Sequence, residues 1–502
     1  MRKLISVLLA LTLLPACVLP ALAEADHSVP YTVVTYQSSS QGRQPDESDD
    51  ILKVLEEKFN IDLQMNVITS EYESKLNLEV ASGNTPDIMK VSSAQFSAFL
   101  DQDLLLPIED YVESMPNMLV QYPDILSDPT LRVDGHLYFL KGNKKEIVKS
   151  YDSLWIRKDW LDALNLPVPT TLEELKQTAI AFATQDPDGN GVNDTYGYTG
   201  LGGVENTSDH YALNPLLGAF GVGSSHYILN EKGELVYSAA TDAYRDALAW
   251  IADFIATGAV DPDMMLMTSF DAVREKVYRN QVGMMYFSWA EFVKPPYDQT
   301  LREMTPDAEW IQIPDVTGPA GAYDSCYEIP GYATSGWVLS ADLADEPDKL
   351  KRVLEYLDYI TAGEGLDLVC YGIKGVHFDY GADGAVVPTD RIGEVSYAWQ
   401  HQVMGRDEIT YLSTKFPTCQ EAIQFARDLD RVNCYNKYVG IPEGLNKSDL
   451  IRYVSEETTR FIYGTRALDT FADFADTLYK TYGLQQYIDM GAQTLKEAGI
   501  MK

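Results

Sequence analysis

The sequence predicts an α/β protein divided into two large lobes, and three observations carry that prediction. The first is a β-α-β alternation early in the chain. Tyr31 to Tyr36 reads as a strand, Ile51, Leu55 and Phe59 recur at i, i+4 and i+8 on one helix face, and Ile61, Leu63, Met65 and Val67 alternate with polar residues as a second strand. Such a start predicts a parallel sheet with right-handed crossovers. The second is length: of 502 residues, nearly 480 remain once a 23-residue leader is set aside, too many for one ordinary core. The third is composition. With 45% hydrophobic and 11% aromatic residues the chain is globular, not disordered.

The leader comes first in the chain. Arg2 and Lys3 precede an apolar run from Leu4 to Leu14, and small residues lead to Ala21-Leu22-Ala23 before Glu24. This is the pattern of a secretory signal peptide cleaved after Ala23, and it is too short to span a membrane. Leu14-Pro15-Ala16-Cys17 offers a second reading, in which Cys17 carries a lipid after cleavage. Either way the mature chain is exported, and no later run is long and apolar enough for a membrane.

After the first strand, Gln37 to Asp46 is a polar loop, and Ser48 is the expected cap of the helix that follows. Residues 82–89, Ser-Gly-Asn-Thr-Pro-Asp-Ile-Met, close a second helix and open a third strand. Thr171 with Glu174 predicts a capping box for a helix through Phe182. Asp242 to Thr257 is helical and stopped by Gly258; Pro347 to Tyr359 is helical with Leu350, Val353, Leu354 and Leu357 inward. No internal repeat or low-complexity tract interrupts this order.

The formal net charge is −36, and −38 without Arg2 and Lys3, which argues against binding a nucleic-acid backbone and suits solubility outside the cell. Cys326, Cys370, Cys419 and Cys434 form no C-x-x-C pair; export permits disulfides, but the spacing assigns none and free buried thiols fit equally. No G-x-S-x-G, Walker A loop or G-x-G-x-x-G occurs, and the six histidines include no H-x-x-x-H. A glycosidase-type carboxylate pair is always compatible with 75 acidic residues, yet the expectation is a protein that is not an enzyme.

One loop points to a metal. In Asp186-Pro-Asp-Gly-Asn-Gly-Val-Asn-Asp-Thr-Tyr-Gly197, oxygen-bearing side chains stand at positions 1, 3, 5 and 9 with glycine at 6, the beginning of an EF-hand-like calcium loop. Asp186, Asp188, Asn190, Asp194 and the Val192 carbonyl are the candidate ligands of a structural Ca2+. The closing glutamate is missing, because Gly197 occupies position 12. The alternative is an Asp/Asn/Gly-rich surface turn without metal.

Five segments in sequence order resemble extracellular solute-binding proteins of the maltose-binding-like superfamily, family 1, and in particular lipoprotein-type oligosaccharide binders of ABC importers. They are residues 82–89; Trp155 to Leu161 with Leu166 to Leu175; Gly283-Met-Met-Tyr-Phe-Ser-Trp289; Leu357 to Gly365 followed by Tyr371-Gly-Ile-Lys-Gly-Val-His377; and the 186–197 loop, where several members hold calcium. Thr195, where such members have a carboxylate, departs from the pattern. The resemblance implies a two-lobed periplasmic-binding-protein-like fold of type II with the ligand between the lobes. It implies a signal peptide at 1–23, a first lobe from 24–140 and 315–365, and a second from 141–314 and 366–502. Crossings are expected near Leu137 to Asn143 and Ile313 to Tyr323. It further implies a monomer that hands an oligosaccharide, or another polar solute, to an ABC permease. A glycan-sensing or adhesive surface protein, or a glycoside-active enzyme, are the alternatives.

Sugars present apolar faces edged by hydroxyls, so their sites pair flat rings with a few polar side chains. From the resemblance, Trp289 is the expected stacking residue and Trp399 a second, placed on lobe 2. Tyr36 and Gln37 at the end of the first strand, and Ser92 and Ser93 after the third, are expected to contact ligand, because parallel strands bind at their carboxyl ends. Arg157, Lys158 and Asp159 are expected to be structural, and Trp155 and Trp250 to lie in the core.

Overall fold

The structure, a computed structural model, describes residues 26–39, 44–46, 48–141, 151–203, 211–331, 333 and 335–502. The leader, Cys17 and most of the expected first crossing lie outside these residues.

The amino-terminal alternation builds the first sheet. β1 (Tyr31–Ser38), α1 (Asp50–Phe59), β2 (Ile61–Ile68), α2 (Tyr72–Ala81), β3 (Ile88–Val91) and α3 (Ser93–Leu100) follow one another, and Gly336–Leu339 completes the order Gly336–Leu339, β3, β1, β2. β1 pairs in parallel with β2, Tyr31 opposite Ile61 through Ser38 opposite Ile68, and in parallel with β3; only Gly336–Leu339 runs antiparallel. Both β1 and β2 therefore end at the same edge. Val33, Leu63, Ile88 and Leu339 from the sheet bury against Ile51, Leu55 and Phe59 of α1 and Val353, Leu354 and Leu357 of Pro347–Tyr359.

The expected cap of α1 moves by one residue. Asp49 is the N-cap, its carboxylate accepting from the Leu52 amide at 2.9 Å, while the Ser48 hydroxyl bonds Asp46 instead. A carboxylate so placed also complements the helix dipole. The aspartate of Pro86-Asp87-Ile88 has a structural role. It accepts the Val34 amide at 2.8 Å and pairs with Lys349 at 2.7 Å, joining β1, β3 and the 347–359 helix. Burial pushes its pKa up against those bonds. Arg352, fully buried, gives its guanidinium to the Phe59 and Asn60 carbonyls at the end of α1, at 2.6 and 3.2 Å.

The second sheet has the order Trp310–Ile313, Asp152–Arg157, Met284–Ser288, Thr199–Gly200. Here the parallel expectation does not extend: Asp152–Arg157 runs antiparallel to both neighbours, and only Thr199–Gly200 is parallel to Met284–Ser288. Asp152–Arg157 is buried at every residue, as a strand covered on both faces is. Thr171 accepts the Glu174 amide as expected, although the Glu174 carboxylate reaches back to Thr170, one residue earlier than a standard box. Arg157 is buried, bonds Asp159 and Asn280, and lies 4.4 Å from the Trp160 ring; it holds the strand-to-helix corner. Trp155 is core, stacked on Phe292 at 4.3 Å, whereas Trp250 is half-buried against Phe254.

The second crossing differs from expectation. Residues 313–323 stay with the second lobe, since the Thr317 amide bonds the Thr170 carbonyl and Asp324 bonds Asp430. Cys326–Glu328 then pairs with Val432–Cys434, and only afterwards does Ala333 bond Thr130 and the chain join the first sheet. The crossing thus falls between residues 329 and 335, set by backbone pairing that no local pattern reveals. The first lobe also continues past residue 365. Val395, Tyr397, Ala398, Val403 and Met404 belong to its core, while Tyr411 and Leu412 belong to the second. All four described cysteines are buried. Cys326 and Cys434 lie on adjacent strands, but the register sets Cys326 opposite Val432. No helix among the described residues is long and apolar enough to cross a membrane.

Candidate functional site

An open cavity of about 600 Å³ lies at the carboxyl ends of β1 and β2, within the roughly 300–1,000 Å³ typical of small-molecule sites. Ser38 and Ser39 leave β1, and Ile68, Thr69, Ser70, Glu71 and Tyr72 lead from β2 into α2. Trp399 supplies the aromatic wall. Parallel pairing of the two strands puts both sets of residues at one edge, and the chain becomes hydroxyl-rich where the sheet stops.

Trp399 belongs to the short turn Ala398–His401, which is fastened to the first lobe and not, as expected, to the second. The Gln37 side-chain amide donates to the Gln400 carbonyl at 2.9 Å. His401 Nε2 lies 2.9 Å from Asp49, the cap of α1, and both side chains are buried. The indole is thereby held beside the cavity with one part of its surface open. The Tyr72 hydroxyl lies 3.0 and 2.5 Å from the Tyr36 and Lys90 carbonyls and shares its one proton between them, which fixes the ring beside the cavity.

Of the residues expected to meet ligand, Trp399 alone lines this cavity. Tyr36 is buried beneath Tyr72, with ring centroids 5.9 Å apart, and Gln37 is spent on Gln400. Ser92 caps α3 in a reciprocal box with Gln95, and Ser93 is the first residue of that helix. Trp289, the expected stacking residue, is a core residue here, 3% exposed and tilted against Phe416 at 6.4 Å. The reason is local: Met284–Ser288 runs directly into Ala290–Val293, and Trp289 starts that turn facing inward. Ser38, Ser39 and residues 69–72 went unnamed in the sequence. Applying the carboxyl-end rule to β2 as well as to β1 would have found them.

Near Trp289 the end of the second sheet is filled by charge. Asp324, fully buried, pairs with Arg431 at 2.9 Å and accepts the Tyr286 hydroxyl at 3.0 Å; Asp152 and Asp315 are buried beside it. Burial, and for Asp315 also the Asp324 charge, pushes both the Asp315 and Asp324 carboxyls well above the ordinary carboxylate range.

In the 186–197 loop the Asp186 carboxylate accepts the Asn190 and Gly191 amides at 3.1 and 3.0 Å, the ring of bonds that shapes a loop of this kind. Asn190 bonds Asp188 and Asp194, and Asn280 links Asp188 to Arg157. Burial and the neighbouring Asp186 and Asp194 charges raise the Asp188 pKa. Thr195 turns inward to the Phe182 carbonyl. Among the described residues no three His, Cys, Asp or Glu side chains converge as a ready metal cage. The residues therefore fit a loop that crowds carboxylates without a closing ligand.

Residues 44–365 match the family model described as bacterial extracellular solute-binding protein, well over half of the chain. The chain belongs to this family. It is 26% identical over 341 residues to the polygalacturonan/rhamnogalacturonan-binding protein YtcQ of Bacillus subtilis, covering 67% of this chain and 64% of that one. It is 27% identical over 257 residues to the fructooligosaccharide ABC transporter substrate-binding protein FusA of Streptococcus pneumoniae, covering 48% and 46%. The chain thus matches less than two thirds of the length of either. The FusA structure in complex with kestose is similar in fold, with a TM-score of 0.71 at 20% identity over 93% of this chain and 99% of that one. The architecture is the two-lobed type II fold of solute-binding proteins, and the family and these relatives are binding proteins, not enzymes.

Proposed function

We propose that this member of the family captures an oligosaccharide and passes it to an ABC permease. The observation that carries the reading is the cavity itself: Trp399, in a turn held by the Gln37–Gln400 and Asp49–His401 bonds, lines it together with Ser38, Ser39, Thr69 and Ser70. An indole covers the apolar face of a pyranose or furanose ring, and serine and threonine hydroxyls exchange hydrogen bonds with its rim. The relatives named for fructooligosaccharide and for galacturonan binding support a glycan as the class of ligand. Lobe closure over the ligand would present a surface to the permease.

Export follows from the 1–23 leader, with Cys17 as the alternative, lipid-bearing start; mass spectrometry of the mature amino terminus distinguishes the two. The 186–197 loop holds a calcium ion in this reading, ligated by Asp186, Asp188, Asn190, Asp194 and the Val192 carbonyl, and the ion would fasten the loop without chemistry of its own.

The deciding experiment is a thermal-shift screen against oligosaccharides followed by calorimetry, since a ligand that binds only the folded chain raises its melting temperature. Trp399→Ala is expected to weaken the best ligand by about 1–3 kcal/mol, the scale of aromatic stacking on a flat ring, with melting unchanged. Equal affinity in both proteins would remove the indole from the site.

A further inference from the structure

The described walls of the cavity carry one formal charge, and it is negative. Ser38, Ser39, Thr69, Ser70 and Tyr72 are neutral, Ile68 and Trp399 are apolar, and no lysine, arginine or histidine stands among them; Glu71 is the exception. Its backbone is as unusual as its position. Glu71 lies in the left-handed region, φ 54° and ψ 36°, where a side chain with Cβ is disfavoured and glycine or asparagine is the ordinary choice. Strain of this kind persists where the surroundings impose it, and it gathers at binding sites.

The expected local explanation for Glu71 fails. A residue immediately before a helix usually spends its side chain on the helix amides, yet Glu71 makes no such bond to α2, and its side chain is exposed. Its neighbours on either side have their own tasks: Tyr72 is bonded to two carbonyls, and Ser70 begins the turn. Among the described residues the carboxylate therefore has no bonding partner, and Glu71 lines the cavity together with hydroxyl-bearing residues and Trp399. An ionised carboxylate is acceptor-only, with two oxygens matched to a pair of adjacent hydroxyls.

We propose that Glu71 sets the charge class of the ligand: the cavity takes neutral, polyhydroxylated sugars, whose vicinal hydroxyls donate to its carboxylate, and turns uronic acids away. The inference rests on the oligosaccharide reading above and adds the sign of the ligand. A uronate brought against Trp399 would place its own carboxylate in a cavity with no described cation to receive it, on a protein of net charge −36. Like charges juxtaposed at a binding surface are a common device for rejecting wrong partners.

The test compares neutral trisaccharides (kestose, raffinose, maltotriose) with trigalacturonate by calorimetry at low and at physiological salt, using wild type, Glu71→Gln and Glu71→Lys. The expected result is binding of at least one neutral sugar and roughly tenfold or weaker binding of trigalacturonate. That gap should narrow in Glu71→Gln, which keeps the side-chain shape, and reverse in Glu71→Lys. Wild type that prefers trigalacturonate, or a gap unchanged in both variants, overturns the role of Glu71 while leaving the glycan reading in place. Binding of no saccharide of either kind overturns both.

Discussion

At the carboxyl end of β1 and β2 the chain breaks into Ser38, Ser39 and residues 69–72, and the space beyond the sheet stays open to solvent. At the end of Met284–Ser288 the chain turns at once into Ala290–Val293, Trp289 folds inward, and Asp152, Asp315, Asp324 and Arg431 fill the adjoining interior. Both sheets end in polar residues and a tryptophan. In the first, polar groups small enough to stay solvated leave a cavity. In the second, larger charged groups, the Asp324–Arg431 pair among them, close it. What separates an open wall from a sealed core is thus whether side chains arriving from elsewhere in the chain fill the space beyond the strands.

That contrast breaks most sharply at the two indoles. Trp289→Ala is expected to cost about 3–5 kcal/mol of stability, as for a large buried aromatic, measured by urea unfolding monitored by circular dichroism. Trp399→Ala should unfold with a free energy close to that of wild type. If the two variants are equally stable, the division between open and sealed ends is wrong.

The sealed end also carries a pH signature. Asp315 and Asp324 titrate above the ordinary carboxylate range, so the folded chain keeps protons that the unfolded chain releases above about pH 4. Their contribution is favourable below that pH and is lost as pH rises through the raised pKa values. Asp315→Asn keeps the shape of the neutral acid and cannot ionise. It should be more stable than wild type at pH 7–8 by on the order of 1–2 kcal/mol, and the difference should vanish near pH 4. Melting curves across pH 4–8 decide it; a variant less stable at neutral pH would show that the Asp315 charge is instead stabilised by Arg431.

The smallest expected effect concerns the 186–197 loop. With calcium bound at the roughly 10⁻⁴–10⁻³ M affinity of extracellular modules, excess chelator should lower the melting temperature by a few degrees relative to millimolar calcium. Asp188→Ala should abolish the difference. Identical melting of wild type in chelator and in calcium would leave the loop as a turn held by its own bonds and by Asn280.

The sequence by itself determined the elements whose signals are local. Periodicity placed α1, β2 and Pro347–Tyr359, since burial of one face imposes a 3.6- or 2-residue repeat regardless of the partner. Oxygen-bearing caps placed Thr171 at its helix start, and the handover at residues 155–161 foretold a structural Arg157. Motifs in order named the family. Tertiary structure alone decided what depends on pairings distant in the chain. The crossing at 329–335 follows from Cys326–Glu328 meeting Val432–Cys434, and Trp399 joins the first lobe because Gln37 bonds Gln400 across 363 residues of sequence. Trp289 and Trp399 are the same side chain in similar company, and nothing in their neighbours' identities says which one the fold will bury. That is settled by whether the space beyond each strand is filled by side chains arriving from elsewhere in the chain.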